Sequence, residues 1–293
     1  MSAVHFDRID LHMHTTVSDG TDTPEEIIAK AKEAGLDLFS VTDHDASAGC
    51  IRIIGKLTHQ DPAFITGAEF SCRDDQGKYH ILGYGFDPEA NSMRSLVEEE
   101  HDRRMLKLKI RLDHLEEIFG IRFSEDDMDA LYMLDNPGKP HLGNLLVKYG
   151  YADKMSEAIS KYVDGAKCRN MHVRTEVAIK CIRESGGIPV LAHPSYGSGG
   201  EFITGAEMDR RISRLKDMGL EGVEAYYSTF TEDLIHEMTI LADKYKLLVT
   251  AGSDYHGANK DIKLGYNKLK SVPEGHHGVR DFIDAVSDRI IKA

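Results

Sequence analysis

The sequence feature that most constrains the fold is an alternation of short β-like runs with helical patterns, interrupted once by a long stretch of helices alone. Such alternation is typical of α/β proteins built from βα units. In the first unit, Thr23, Pro24 and Glu26 predict a capped helix start. The predicted strands cover residues 9–12, 36–42, 63–70, 79–86, 188–192, 222–227 and 247–251. About seven strands with mostly crossover connections favour a barrel related to the TIM type over an open sheet.

The interruption covers residues 88–170, where we predict helices and no strand. Apolar residues recur every three or four positions from Leu96 to Phe119, which predicts one long amphipathic helix that ends at Gly120. Three shorter helices are predicted after it. We therefore expect an α/β barrel domain made of residues 1–87 and 171–293, with an all-helical insertion domain at residues 88–170.

The net charge and the cysteine usage limit the binding partners and the cellular compartment that the sequence favours. The chain of 293 residues has 36 Lys and Arg against 49 Asp and Glu, a net charge of -13. The negative electrostatic field of such a chain disfavours binding to duplex DNA or to an anionic membrane. No apolar run approaches the roughly 20 residues that cross a bilayer, and the first eight residues resemble no export signal. The four cysteines form no C-x-x-C pair, so a reduced, cytoplasmic protein is expected.

Histidines and carboxylates stand at or just beyond the carboxyl-terminal ends of most predicted strands, and His80 stands at the start of the fourth. Residues i and i+2 of a strand point to the same face, so His12 and His14 can reach one ion together. Barrel enzymes place their chemistry at this end of their strands. The nine positions are His12, His14, Asp19, His44, Glu69, His80, His193, Asp254 and His256.

Two interpretations of these residues compete. A single His or Asp after a strand is usually a cap or a hydrogen-bonded loop residue. Nine of them in separate units are better explained by several metal ions, because burying so many ionisable groups without cations is costly. Mixed imidazole and carboxylate ligands without thiolate suit Mn²⁺, Zn²⁺ or Fe.

The motifs that carry these residues resemble those of the PHP (polymerase and histidinol phosphatase) family. They are DLHMHTTVSDG at 10–20, TDHD at 42–45, GAE at 67–69, LAHP at 191–194 and GSDYH at 252–256. The resemblance implies a distorted (β/α)7 barrel that holds three divalent metal ions. It implies one ion on His12, His14, Glu69 and Asp254, a second on Glu69, His80 and His193, and a third on Asp19, His44 and His256.

Within that family the chain resembles the stand-alone phosphoesterases with a helical insertion, which hydrolyse nucleotide phosphates. Their insertion carries an Arg-Pro-His segment, where this chain has Lys139, Pro140 and His141. The match makes Lys139 and His141 candidate phosphate contacts, although lysine cannot grip phosphate bidentately as arginine does. The alternative for His141 is a helix N-terminal residue satisfied by backbone.

Further candidates are basic residues after the insertion and one acidic residue beside a predicted ligand. Arg169, His172 and Arg174 are candidate phosphate contacts, and the alternative for each is a solvated surface charge. Asp45, beside His44, is a candidate catalytic residue, either as a partner that orients a metal ligand or as a proton relay. The alternative for Asp45 is a loop carboxylate that orients neighbouring backbone.

The expected function is a metal-dependent phosphoesterase that uses metal-activated hydroxide on a small phosphorylated metabolite, a nucleotide. A nucleoside 3′,5′-bisphosphate or the end of a short oligonucleotide is the favoured substrate. Histidinol phosphate is the alternative substrate. A non-catalytic, metal-binding PHP module, such as those inside polymerases, is the alternative class.

Overall fold

The computed structural model describes residues 6–168, 171–197 and 201–292. These residues form nine strands and ten α-helices, and a π-helical turn at Ile159–Val163 follows the sixth helix. The strands are β1 Ile9–Asp10, β2 Leu38–Phe39, β3 Ala63–Phe64, β4 Gly67–Asp74, β5 Gly77–Tyr84, β6 Val173–Arg174, β7 Ile188–Leu191, β8 Gly222–Tyr227 and β9 Leu248–Gly252. The helices are α1 Pro24–Glu33, α2 Ala48–Ile54, α3 Asn91–Phe119, α4 Glu125–Tyr132, α5 Lys139–Lys148, α6 Met155–Ala158, α7 Thr175–Glu184, α8 Gly205–Asp217, α9 Glu232–Tyr245 and α10 His277–Ala285.

The fold is mixed α/β, as predicted, but the described strands form two sheets and no closed barrel. One sheet has the order β1-β2-β3 and is parallel, and the other has the order β6-β4-β5-β7-β8-β9. The expectation of mostly crossover connections fails at β5, which is antiparallel to both β4 and β7. A regular βα barrel needs parallel neighbours throughout, and this hairpin interrupts that pattern.

Hydrogen bonds beyond the strand ends join the two sheets on both sides. On one side, the amide of Leu11 donates to the carbonyl of Ala251 at 2.9 Å. On the other side, the amide of Asp45 donates to the carbonyl of Glu69 at 2.8 Å. The segments that follow β1, β2 and β9 therefore meet the start of β4, and their polar side chains face one another.

Residues 88–168 hold helices only, as predicted, and these helices share an apolar cluster of their own. Helix α3 runs through two clusters: Met93 and Leu96 pack into the largest core, which also contains strand residues. Leu108 and Leu115 pack instead with α4 to α6. Helix α3 ends as expected at Gly120, whose φ of 66° is left-handed. The division into a barrel domain and an insertion domain stays a prediction.

The capped start of α1 is confirmed. The Thr23 side chain accepts from the amide of Glu26 at 3.2 Å, and the Glu26 carboxylate accepts from the amide of Thr23 at 2.8 Å. No helix among the described residues combines the length and the apolar composition that a bilayer crossing requires.

Candidate metal centre

Glu69, near the start of β4, lies at the centre of the predicted ligand set. It is 1% exposed. Its Oε2 lies 3.4 Å from Nε2 of His12, 3.3 Å from Nε2 of His14 and 3.1 Å from Nδ1 of His44. Its Oε1 lies 2.8 Å from Nδ1 of His80 and 2.9 Å from Nε2 of His193. Each carboxylate oxygen thus faces a different group of imidazoles, which is the geometry of a bridging carboxylate.

The remaining predicted ligands complete the cluster around the other edge of His14. Oδ1 of Asp254 lies 3.3 Å from His14 Nε2 and 3.3 Å from His256 Nδ1. Oδ1 of Asp19 lies 3.3 Å from His256 Nε2, and its Oδ2 lies 3.8 Å from His44 Nε2. The structure therefore brings all nine predicted residues into one cluster.

The donor atoms of this cluster fit divalent cations. His12 Nε2, His14 Nε2 and His44 Nδ1 are buried, and no group among the described residues forms a hydrogen bond with them. Buried polar atoms without partners are costly, and these three face carboxylates as metal-binding nitrogens do. Two of the groupings that place three or more ligand atoms within 4.8 Å of one another are His14, Asp19, His44 and His256, and His12, His14 and Asp254.

The charges of the cluster also call for cations. Burial alone would lower the pKa of His14, but the carboxylates of Asp254 and Glu69, each 3.3 Å from its Nε2, raise it to about 9. Burial would raise the pKa of Glu69, but the surrounding imidazoles, His80 and His44 first among them, hold it well below its usual range. The carboxylates are therefore ionised and attract positive charge, which protons or metal ions can supply.

Backbone strain is concentrated at this cluster. His193 and Asp254 have φ values of 27° and 59°, and Asp45, beside the ligand His44, has 53°. A left-handed backbone disfavours residues other than glycine and persists where surrounding structure holds it, commonly at functional sites. The loops after β2, β7 and β9 thus bend sharply where they present their polar side chains.

The cluster opens into a cavity of about 530 Å³, and basic side chains form part of its wall. Lys107 and Arg111 come from α3, and Lys78 comes from β5. Burial, with help from Lys107 and Lys78, lowers the pKa of His172, another lining residue, to about 4. Lys139 lines the same wall and forms an ion pair with Asp164 at 2.5 Å. The cavity is therefore lined by the carboxylates and imidazoles of the cluster and also by cations, and one of these, Lys260, donates to Oδ2 of Asp254 at 2.6 Å.

Comparison with known proteins identifies the family. The sequence pattern that describes the PHP domain matches residues 10–177, more than half of the chain. The chain belongs to the PHP family. The matched region contains six of the nine clustered residues, and His193, Asp254 and His256 lie beyond it.

Two curated relatives of this PHP-family protein are enzymes that act on nucleotides or RNA. A 3′,5′-nucleoside bisphosphate phosphatase from Chromobacterium violaceum is 28% identical over 85% of this chain and 87% of its own length. A 5′-3′ exoribonuclease Rnm from Salmonella typhimurium is 28% identical over 92% of each chain.

A solved structure agrees with these relatives. A protein from Bifidobacterium adolescentis, described as a candidate metal-dependent phosphoesterase, has a TM-score of 0.78 and 25% identity over 94% of this chain and 96% of its own. The PHP-family protein is therefore a hydrolase of phosphate esters that uses divalent metal ions.

The other predicted site residues of the PHP-family protein occupy different positions. Lys139 and His172 line the cavity. Nδ1 of His141 accepts from the amide of Gly138 at 2.9 Å, so it caps its own helix as the alternative interpretation held. Arg174 is exposed, is held by Glu176 and Asp75, and is not among the residues that line the cavity, so a phosphate contact there stays a prediction. Arg169 lies outside the described residues.

Asp45, beside the predicted ligand His44, is held by a residue of helix α3. Its Oδ2 accepts from Nε and Nη2 of Arg104 at 2.8 and 2.5 Å, and its Oδ1 accepts from the amide of Ser71 at 2.7 Å. Burial alone would raise the pKa of Asp45, but Arg104 and Lys107 hold it at about 2. Asp45 thus anchors helix α3 beside the metal cluster, and its catalytic role stays a prediction.

Glu224 on β8 is a residue of the site that the sequence interpretation missed. It is fully buried. Its Oε1 accepts from Nδ1 of His12 at 2.9 Å, and its Oε2 accepts from the amide of His193 at 2.8 Å. One carboxylate therefore orients two predicted ligands from outside the cluster. A lone acid in an otherwise apolar strand was the signal that could have found it.

Proposed function

We propose that this protein is a metal-dependent phosphoesterase that removes a terminal phosphate from a nucleoside 3′,5′-bisphosphate or from the end of a short oligonucleotide. One observation carries the proposal: the cluster around Glu69 and the basic wall formed by Lys78, Lys107 and Arg111 line one cavity. A substrate with two phosphates can place one at the cluster and the other beside these cations. The two nucleotide- and RNA-cleaving relatives support the same class.

The nine clustered residues would hold three divalent ions, Mn, Zn or Fe. Glu69 would bridge, because its two oxygens face separate groups of imidazoles. The proposed ligand sets are His12, His14, Glu69 and Asp254 for one ion, Glu69, His80 and His193 for the second, and Asp19, His44 and His256 for the third. When bound, such ions lower the pKa of water and offset the charge on the phosphoryl oxygens.

The chain's own residues bind the substrate and hold the ligands in position. Lys107 is 4% exposed and faces the cavity, so it offers a desolvated charge to a second phosphate. Arg111, one helical turn further along α3, can grip the same phosphate through two N–H groups. Glu224 fixes the orientation of His12 and the loop amide of His193. These roles position an anion between the two ends of the cavity.

The proposed fold follows from the bonds that join the two sheets. We propose that the two sheets together form the distorted (β/α)7 barrel, closed beside β1 and β4 by the hydrogen bonds of Leu11 and Asp45. Residues 88–170 would be the helical insertion, whose first helix contributes the basic wall. The insertion would then recognise the substrate, and the barrel would bind the metal ions.

A substrate panel tests this function. The metal-loaded enzyme is offered a nucleoside 3′,5′-bisphosphate, the corresponding monophosphates, a short RNA and histidinol phosphate, and released phosphate or nucleotide is measured. We expect the highest kcat/KM for the bisphosphate or the RNA. Exclusive turnover of histidinol phosphate would overturn the substrate, and no turnover at all would favour the non-catalytic module.

A matched pair of variants links the panel to the basic wall. Lys107→Met removes a buried charge that faces the cavity, whereas Lys109→Met removes an exposed lysine of the same helix that pairs with Asp113. A charged hydrogen bond contributes about 1.5–3 kcal/mol, so Lys107→Met should raise KM for the bisphosphate by about tenfold or more. Lys109→Met should leave it unchanged. Equal values of KM in the two variants would contradict the assignment of the wall.

A further inference from the structure

An aromatic surface stands at the rim of the cavity, on the segment that follows the predicted ligand His193. Tyr196 lines the cavity and is 39% exposed, and its neighbour Phe202 is 62% exposed. The two residues pair in an antiparallel bridge, and their ring centroids lie 6.1 Å apart. We infer that Tyr196 and Phe202 form a stacking surface for the nucleobase of the substrate, an inference that rests on the proposed function.

Two buried aromatic rings pack near the Tyr196 ring and hold it in place. The rings of Tyr227 and Phe230 lie 5.8 and 5.6 Å from it, centroid to centroid, and both of those residues are buried. The Tyr196 hydroxyl donates to the carbonyl of Thr229 at 3.3 Å. A ring that is already fixed loses little conformational entropy when a ligand stacks on it, so the exposed face of Tyr196 is prepared for a flat partner.

The distance to the metal cluster suits a nucleoside. Tyr227 lies between the two sites, because its ring centroid is 5.5 Å from that of His193 and 5.8 Å from that of Tyr196. The amide of Tyr196 also donates to the carbonyl of His193 at 2.9 Å. A phosphate held beside His193 therefore leaves the rest of a nucleoside within reach of the Tyr196 ring.

The chemistry of the rim differs from that of the rest of the cavity. The cluster and the basic wall recognise charge, which any phosphorylated metabolite carries. An aromatic face recognises a flat π-system, and every nucleobase has one, so stacking tolerates any base sequence. The rim therefore selects nucleotides and oligonucleotides over sugar phosphates and gives no preference for one base.

The test compares binding of two non-hydrolysable ligands to the metal-loaded protein. One is a 2-aminopurine nucleoside with phosphonates at the 3′ and 5′ positions, and the other is the same ribose bisphosphonate without a base. The variants are Tyr196→Ala, Phe202→Ala and Tyr196→Phe, and Tyr132→Ala is the control because Tyr132, on α4, is exposed to a similar extent. Loss of stacking on one aromatic ring costs about tenfold in affinity.

We expect Tyr196→Ala to raise Kd for the base-bearing ligand about tenfold and to leave Kd for the base-free ligand unchanged. Phe202→Ala should act in the same direction, and because its side chain is exposed the variant keeps its fold. Tyr196→Phe and Tyr132→Ala should bind both ligands as the wild type does. Equal effects of Tyr196→Ala on both ligands, or none on either, would overturn the stacking surface.

The binding assay separates this inference from the function on which it rests. If the wild type binds the base-bearing ligand through Tyr196 but hydrolyses no nucleotide, the stacking surface stands and the proposed reaction is wrong. If nucleotides are hydrolysed and Tyr196→Ala binds both ligands normally, the reaction stands and the stacking surface is wrong.

Discussion

Replacing Glu224 by glutamine changes one atom of the side chain and should nevertheless weaken metal binding. The carboxylate accepts two hydrogen bonds, from Nδ1 of His12 at 2.9 Å and from the amide of His193 at 2.8 Å. Glutamine has one acceptor oxygen, and the amide of His193 can only donate, so that oxygen stays with His193. The glutamine NH₂ then faces Nδ1 of His12, which must become an acceptor and move its proton to Nε2.

That change of tautomer removes the lone pair of the nitrogen that faces Glu69 and Asp254. Loss of a partner that orients a metal ligand typically costs 10- to 100-fold in metal affinity, which corresponds to about 1.4–2.7 kcal/mol. Glu224→Ala leaves two buried donors without acceptors, so it should also lower the free energy of unfolding by about 2–6 kcal/mol. The isosteric glutamine should lower stability much less.

The assay is metal content, measured by elemental analysis after equilibration against buffered free Mn²⁺ or Zn²⁺, together with a thermal melt of the metal-free protein. Glu221→Gln is the matched control, because Glu221 precedes the same strand and pairs at the surface with Arg183. Wild-type metal affinity in Glu224→Gln would refute the tautomer argument, whatever the activity of the variant.

Two further predictions concern the bridging carboxylate and the basic wall. Glu69→Gln should reduce the occupancy of two metal sites, because the oxygens of Glu69 face separate imidazole groups. Asp19→Asn should remove mainly one ion. Equal metal losses in the two variants, measured by elemental analysis, would contradict the bridging role of Glu69. Burial, together with Arg104, lowers the pKa of Lys107 to about 8 although Asp45 opposes the shift. Lys107 is therefore charged below that pH and neutral above it, so kcat/KM for an anionic substrate should fall as pH rises through about 8. Lys107→Arg keeps its charge and should lack this fall; identical pH profiles would show that Lys107 does not bind the substrate.

The parts of the structure that the sequence predicts are those fixed by local chemistry. The capped start of α1 and the end of α3 at Gly120 depend on neighbouring residues only, and both are confirmed. Eight of the nine clustered residues lie at or just beyond the carboxyl-terminal end of a predicted strand, where parallel strands bring their following loops together, and the ninth, His80, lies near the start of one. Their convergence needed no knowledge of which strands are neighbours.

The features that could not be predicted from the sequence depend on contacts between distant segments. Two apolar runs do not specify which strands pair, so the antiparallel pairing of β4 with β5 was not predicted. The tight turn at Asp74, where Oδ1 accepts from the amide of Gln76, was a signal for a hairpin. The ion pair of Asp45 with Arg104 joins residues 59 positions apart. Of the basic wall, only Lys107 and Arg111, four positions apart on α3, were visible from sequence as a pair on one helix face.

The most direct test of the central claim is a metal titration of the stripped enzyme with phosphate release from a nucleoside 3′,5′-bisphosphate as the readout. Circular dichroism of the metal-free protein confirms that it is folded before metal is added. We expect no turnover without metal and a rise that saturates at three equivalents of Mn²⁺ or Zn²⁺, the number of ions proposed for the nine residues. Full turnover by the metal-free protein would contradict this expectation.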